Sequence, residues 1–217
     1  MHKWFVYKEF DDASKAAADF IANEIKTCIE ENDVCHIALP GGNSPRQCLS
    51  FLADMKLPWQ KVHWYLGDER CCPVGHEDRN DVMLDKYLWS KIGDTNIHRI
   101  PTELGPEKAA EEYREVISKV EQLDIAFLGL GEDGHTASLF PGNDALNDHR
   151  TVIPVFNSPK PPAERVSLSS DTLQKAGTRI VLTSTGTKAL IIERIKEGEA
   201  LPVNAIGDIY WFVDNAP

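Results

Sequence analysis

A chain of 217 residues with 42% hydrophobic and 26% charged content can bury one sizeable core and has the charge density of an ordinary soluble globular protein. Its net charge of −11 excludes nucleic acid and anionic membrane surfaces as partners, because both require a basic face. It does not exclude an anionic small molecule, which a few local Arg and Lys side chains and backbone N–H groups can hold inside a negative protein.

The first residues, MHKWFVYKEFDDASKAA, lack the charged, apolar and small-residue zones of a signal peptide. No apolar run approaches the roughly 18 residues of a membrane helix. Residues 4–7 read as a short strand. Residues 12–31 read as a helix whose apolar face is Ala13, Ala17, Phe20, Ile21, Ile25, Cys28 and Ile29, recurring at steps of three and four. Residues 34–39 form a buried strand followed by PGGNSP. Ser44 is expected to cap the next helix, with Pro45 in its first turn. That helix runs through Cys48, Leu49 and Leu52 and breaks at residues 56–58.

A strand at 62–66 ends in GDER. Residues 80–92 and 107–120 read as helices, the second entered through Gly105-Pro106. Residues 125–130 are a strongly apolar strand ending at Gly131. Residues 152–156, 166–168 and 180–183 read as further strands. Residues 187–196 read as a helix with Ala189, Leu190, Ile191 and Ile195 inward, and 209–213 as a last strand. The alternation predicts βα units in an α/β fold, a mostly parallel sheet with helices on both faces. No repeat or low-complexity tract divides the chain. The richest loop, NSPKPPAE at 157–164, reads as a surface crossover, so residues 1–217 are expected to form a single domain.

The five cysteines are odd in number and contain no CxxC pair. Cys28, Cys35 and Cys48 lie in apolar-patterned segments and read as buried free thiols. The adjacent Cys71 and Cys72 have no matching Cys/His pair at zinc spacing. This usage fits a reducing cytoplasm.

In an open parallel sheet, ligands bind outside the carboxyl ends of the strands. Four strand ends carry polar or glycine-rich sequence: PGGNSPR, GDER, GEDGHT and STGTK. In the first, Gly41, Gly42, Asn43 and Ser44 at a helix start fit either a phosphate cradle or an ordinary capped turn. In GDER, Asp68 can orient a base or hold a substrate hydroxyl and Arg70 can pair with phosphate, or the two can form an internal salt bridge. In GEDGHT, Gly131 and Gly134 free the backbone around Asp133, and His135 is expected at a loop-to-helix transition. A histidine there suits general-base work, because its pKa lies near neutrality. The other six histidines lack this setting, and His36 and His63 read as structural strand residues. Lys188 after the STGT turn can close on a phosphate or be a solvated surface lysine. Arg165, opening RVSLS, is a weaker anion-ligand candidate.

With LPGGNSP, WYLGDERCCP and a downstream Asn80, LGLGEDGHTASLFPG, RVSLS, TGTKA and IYWFVD in collinear order, the chain resembles the 6-phosphogluconolactonase family within the wider glucosamine-6-phosphate isomerase/deaminase-like group. The pieces span nearly all of residues 39–214. The GDER and DGHTASLFP pieces are specific, whereas the glycine loop and TGTKA are shared more widely. The resemblance implies a Rossmann-like fold and hydrolysis of 6-phospho-D-glucono-1,5-lactone in the oxidative pentose phosphate pathway. It further implies a small phosphosugar lactone as partner and no metal or organic cofactor. Oligomeric state is read as monomer or weak homodimer. By position, His135 is the general base, Asp68 lines the same pocket, and Arg70, Lys188 and the Gly42–Ser44 loop contact phosphate. Two departures stand out: Arg79 replaces the serine common before the asparagine, and GGNSP replaces the commoner GGS[TS]P.

The resulting expectation is that neutral His135 takes a proton from the attacking water and returns it to the ring oxygen. Backbone N–H groups at 131–134, or Arg70, would stabilise the oxyanion. Asp68, in preference to Asp133, would hold the imidazole tautomer. Two rival readings are an amino-sugar phosphate isomerase/deaminase, which shares a DGH motif but carries a different acidic sequence at GDER, and a non-catalytic sugar-phosphate sensor, for whose DNA-binding segment one domain of this length leaves no room.

Overall fold

A computed structural model describes residues 2–215. Among the described residues, ten strands and eight α-helices occur in the order β1 (Lys3–Tyr7), α1 (Phe10–Asn32), β2 (Cys35–Leu39), α2 (Pro45–Ala53), β3 (Val62–Leu66), β4 (Asp68–Arg70), α3 (Asn80–Leu84), α4 (Ser90–Ile92), β5 (Asn96–His98), α5 (Pro106–Ile117), β6 (Ile125–Leu128), β7 (Val152–Val155), β8 (Arg165–Leu168), α6 (Ser170–Lys175), β9 (Thr178–Thr183), α7 (Ala189–Lys196), α8 (Pro202–Ala205) and β10 (Tyr210–Asp214). A π-helical segment, Asp85–Trp89, joins α3 to α4, so the expected 80–92 helix is one continuous rod with a widened middle turn.

Seven strands form an all-parallel sheet in the order β1-β10-β9-β6-β2-β3-β5. The central strands are apolar on both faces: every residue of β6 is buried, as are Cys35, Ile37, Ala38 and Leu39 of β2. That is the signature of strands covered on each side, and it explains their near-continuous hydrophobic runs. Helix α1 meets the core through Ala13, Ala17, Ala18, Ile21, Ala22 and Ile25. Small alanines let its backbone approach closely, while Phe20, Cys28 and Ile29 of the expected face are only partly buried at the core margin.

The chain runs from β2 outward through β3 to β5, then returns to the middle and runs the other way through β6, β9 and β10. The reversal falls between β2 and β6, and the loops that leave these two strands diverge there. Such a switch point opens a crevice at the carboxyl edge of the sheet.

Three strand readings differ from a single parallel sheet. GDER is not a loop: β4 pairs antiparallel with β8, and β8 with β7, in a separate three-stranded sheet. The Leu168 N–H donates to the Gly67 carbonyl at 2.8 Å and ties this small sheet to the end of β3. Local alternation marks strands but carries no information about partners almost a hundred residues apart. Helix α7 also departs from expectation. Ile191, Ile192 and Ile195 face inward, while Leu190 is 76% exposed and Ala189 is exposed, because a 3-10 turn at Gly186–Lys188 rotates the start of the helix.

Candidate active site

The cleft at the switch point has a volume of about 400 Å³, within the range of small-molecule sites. The loops after β2, β3, β6 and β9 all contribute to its lining, so the four polar strand ends meet at one place. His135, Asp68, Arg70, Arg165, Lys188 and the 41–44 loop all line it. Asp133 reaches it through its bond to His135.

His135 does not start a helix. It sits in a compact turn in which Thr136 bridges Leu139, and Thr136 Oγ1 donates to the Gly129 carbonyl at 2.9 Å. The ring packs on Phe140 with centroids 4.5 Å apart. Gly131 lies directly beneath it: a methyl group built on Gly131 would come within 1.9 Å of His135 Nδ1. The glycine is therefore required by the closeness of ring and backbone.

Asp133, not Asp68, orients the imidazole. Its Oδ1 lies 2.5 Å from His135 Nδ1 and accepts the His135 backbone N–H at 3.2 Å. A carboxylate can only accept, so Nδ1 carries the proton and Nε2 keeps its lone pair. Burial holds the His135 pKa below the ordinary imidazole value, and the hydrogen bond and charge of Asp133 only partly offset this. For Asp133, burial opposes ionisation, but its bonds and charge contact with His135 outweigh burial and leave its pKa below the usual carboxylate value. At neutral pH the pair is a neutral imidazole on a carboxylate.

Asp68 is committed elsewhere. Its Oδ2 accepts the Ser138 hydroxyl at 2.5 Å and its Oδ1 accepts Asn80 Nδ2 at 3.2 Å. The buried carboxylate thus pins the histidine loop to β4 and to the start of α3. Asn80 also donates to the Asp68 carbonyl and packs so tightly on Gly41 that a Cβ there would meet its Oδ1 at 1.8 Å. Beneath it, Glu69 is fully buried and accepts the backbone N–H groups of Arg70, Asn80 and Asp81. Burial outweighs those donors and pushes its pKa up to about 7. The unusual Arg79 is buried in a structural knot: it pairs with both Asp81 oxygens and with Glu103 and donates to the Cys72 and Ile100 carbonyls.

The cations divide by role. Arg70 Nη1 donates to the Asp78 carbonyl, and its buried Nε has no hydrogen-bond partner. Lys188 is not a solvated surface lysine: it is half-buried, Nζ donates to Thr183 Oγ1 at 3.0 Å, and burial lowers its pKa. Arg165 spends Nε and Nη2 on the carbonyls of Lys160, Pro161 and Pro162 and lies over the Phe140 ring. It clamps the proline-rich loop against the cleft while itself lining it. That loop is no mere surface crossover, since Lys160 and Pro161 line the cleft. Sequence reasoning missed Lys160 and Ser138. The neighbouring Arg165 was the available signal for the first, and nothing local marks the second.

Two further details differ from expectation. Ser44 makes no capping bond to α2 and its own backbone is helical, so its hydroxyl is not consumed by the helix start. The Gly131 N–H donates to the His135 carbonyl and the Gly134 N–H to the Gly131 carbonyl, so neither glycine is a ready oxyanion donor.

The family described as glucosamine-6-phosphate isomerases/6-phosphogluconolactonase matches residues 8–211. The 6-phosphogluconolactonase of Thermotoga maritima is 33% identical over 207 residues, covering 90% of this chain and 93% of the relative. That of a Synechocystis species is 32% identical, covering 89% and 88%. The crystal structure of the Thermotoga maritima 6-phosphogluconolactonase superposes with a TM-score of 0.91 at 28% identity, over 99% of this chain and 100% of that one. The 6-phosphogluconolactonase of Trypanosoma brucei superposes with a TM-score of 0.88 at 25% identity, over 99% and 96%.

Proposed function

This chain belongs to the glucosamine-6-phosphate isomerase/6-phosphogluconolactonase family, and we infer that it hydrolyses 6-phospho-D-glucono-1,5-lactone to 6-phospho-D-gluconate in the oxidative pentose phosphate pathway. The observation that carries the mechanism is the Asp133–His135 pair at the switch-point cleft. A six-membered lactone is an activated ester, so the reaction needs no covalent nucleophile. His135 Nε2 accepts a proton from water as the water oxygen attacks the ring carbonyl. Asp133 stabilises the imidazolium that forms. As the carbonyl–ring oxygen bond breaks, that proton passes to the departing oxygen.

The substrate phosphate sits remote from the carbonyl and positions the ring. Its ligands in this reading are the Gly41, Gly42, Asn43 and Ser44 loop together with Arg70 and Lys188, with Lys160 closing from the proline-rich loop. Asp68 positions the histidine loop through Ser138, and Arg165 positions Lys160. Arg70→Gln and Lys188→Gln are each expected to lower kcat/KM for the phosphorylated lactone by roughly 10- to 100-fold, the worth of one charged hydrogen bond. Unphosphorylated gluconolactone should be hydrolysed at nearly the parental rate. Equal losses on both substrates would remove these residues from the phosphate site.

The pH profile supplies a second check. His135 must be neutral to accept a proton, so activity falls as pH drops through its pKa. Since burial depresses that pKa, the acid limb of kcat/KM should lie below about 6.5, the free imidazole value. Asp133 raises it, so Asp133→Asn should move the limb to still lower pH while kcat falls through loss of the tautomer. A limb displaced upward would contradict the assignment. The activity itself is tested by a coupled assay on freshly generated 6-phosphogluconolactone, corrected for spontaneous hydrolysis. Glucosamine 6-phosphate should release no ammonia.

A further inference from the structure

At the opposite edge of the parallel sheet, Cys28, Cys35 and Asp124 bring two sulfurs and a carboxylate oxygen within 4.8 Å of one another. They come from three elements. Cys28 is on the last turns of α1, Cys35 is the first residue of β2, and Asp124 immediately precedes β6. The carboxylate is already oriented: Asp124 Oδ2 accepts the His36 N–H at 2.7 Å, and the Asp124 N–H donates to the His36 carbonyl at 2.9 Å. One oxygen stays free of that bond. Cys35 is buried and Cys28 half-buried, so the group is reachable from one side only.

We propose that Cys28, Cys35 and Asp124 form a binding site for one thiophilic divalent cation, zinc being the occupant that two thiolates and a carboxylate select. Tetrahedral zinc with Zn–S near 2.3 Å sets its two sulfurs about 3.8 Å apart, which three ligand atoms already within 4.8 Å reach by small side-chain rotations. Binding releases the two thiol protons and forms two Zn–S bonds and one Zn–O bond. Water completes the shell on the open side of Cys28. The surroundings favour a cation. Glu24 of α1 and Asp124 bear on both thiols with negative charge, and Glu31 bears on Cys28. The site joins the end of α1 to β2 and β6 and is a structural clasp, separate from the lactone chemistry.

The test is titration of the reduced, metal-free full chain with Cd²⁺ alone, followed by displacement with Zn²⁺. One equivalent should produce a saturable thiolate-to-cadmium charge-transfer band, and zinc should abolish it. Cys28→Ser and Cys35→Ser should each remove the band. Asp124→Asn, which keeps an acceptor for the His36 N–H, should weaken binding by at least about tenfold. A Cys71→Ser/Cys72→Ser variant should bind normally. X-ray absorption of the zinc-loaded parental chain should show two sulfur neighbours together with lighter ligands, which keeps the proposal testable if Cys35→Ser does not fold. No band at one equivalent, a band that survives Cys28→Ser, or a Cys28–Cys35 disulfide in thiol-buffered solution would overturn the site.

Discussion

Replacing His135 by alanine should lower kcat for 6-phosphogluconolactone by about 10²- to 10⁴-fold with little change in KM. The size follows from what the residue supplies. Water at neutral pH attacks an ester slowly without a base to take its proton, and the basic side chains of the cleft remain to bind substrate when the imidazole is removed. The ring is ready for this role because Asp133 holds the proton on Nδ1 and burial keeps Nε2 unprotonated. The loop itself should persist, since Thr136, Ser138 and the Gly131 N–H anchor it independently of the ring. Steady-state rates above the spontaneous background decide the matter, and turnover within a few-fold of the parent would remove His135 from the mechanism.

The second large effect is expected at a residue with no functional group. Gly131→Ala would place a methyl 1.9 Å from His135 Nδ1 and 2.1 Å from Cε1. Real Cβ atoms do not approach this closely, so the ring must move. Asp133 on one side and Phe140 on the other leave it no equivalent position. A displacement of about 1 Å at a catalytic group can cost 10²-fold, and a loss of that order in kcat is predicted with the fold retained. A Gly131→Ala enzyme with parental kcat would show that the close packing of ring on backbone does not govern catalysis.

Much of the scaffold was legible because its rules are local. A run such as residues 125–128 can be buried on both faces only in a covered parallel strand, and the three- and four-residue recurrence in α1 can bury one stripe only as a helix. Pro45 marked the start of α2 for the same local reason. The Ser44 cap failed because capping depends on the backbone angle at one residue, and the turn from β2 holds Ser44 in helical geometry. GDER read as a loop because three residues are too few to show alternation. Only their pairing with β8 makes them a strand. The inward assignment of Leu190 failed because a short 3-10 turn shifts helical phase, which residue spacing alone cannot reveal.

The site divides in the same way. The chain alone determined that four polar strand ends lie at one edge, because successive parallel βα units must deliver their carboxyl ends to the same side. It also singled out His135, because a histidine between glycines at such an end has few structural uses. The tertiary structure alone decided which carboxylate serves it, since Asp68 and Asp133 both stand at polar strand ends that open on the cleft, and only the turn at 133–135 brings one of them to Nδ1 while Ser138 and Asn80 occupy the other. It alone placed Lys160 at the cleft, through three carbonyl bonds from Arg165. Strand order, register and side-chain partnership are set by packing across the whole core. Residue type and spacing specify the elements that pack, but not which of their polar ends finally touch.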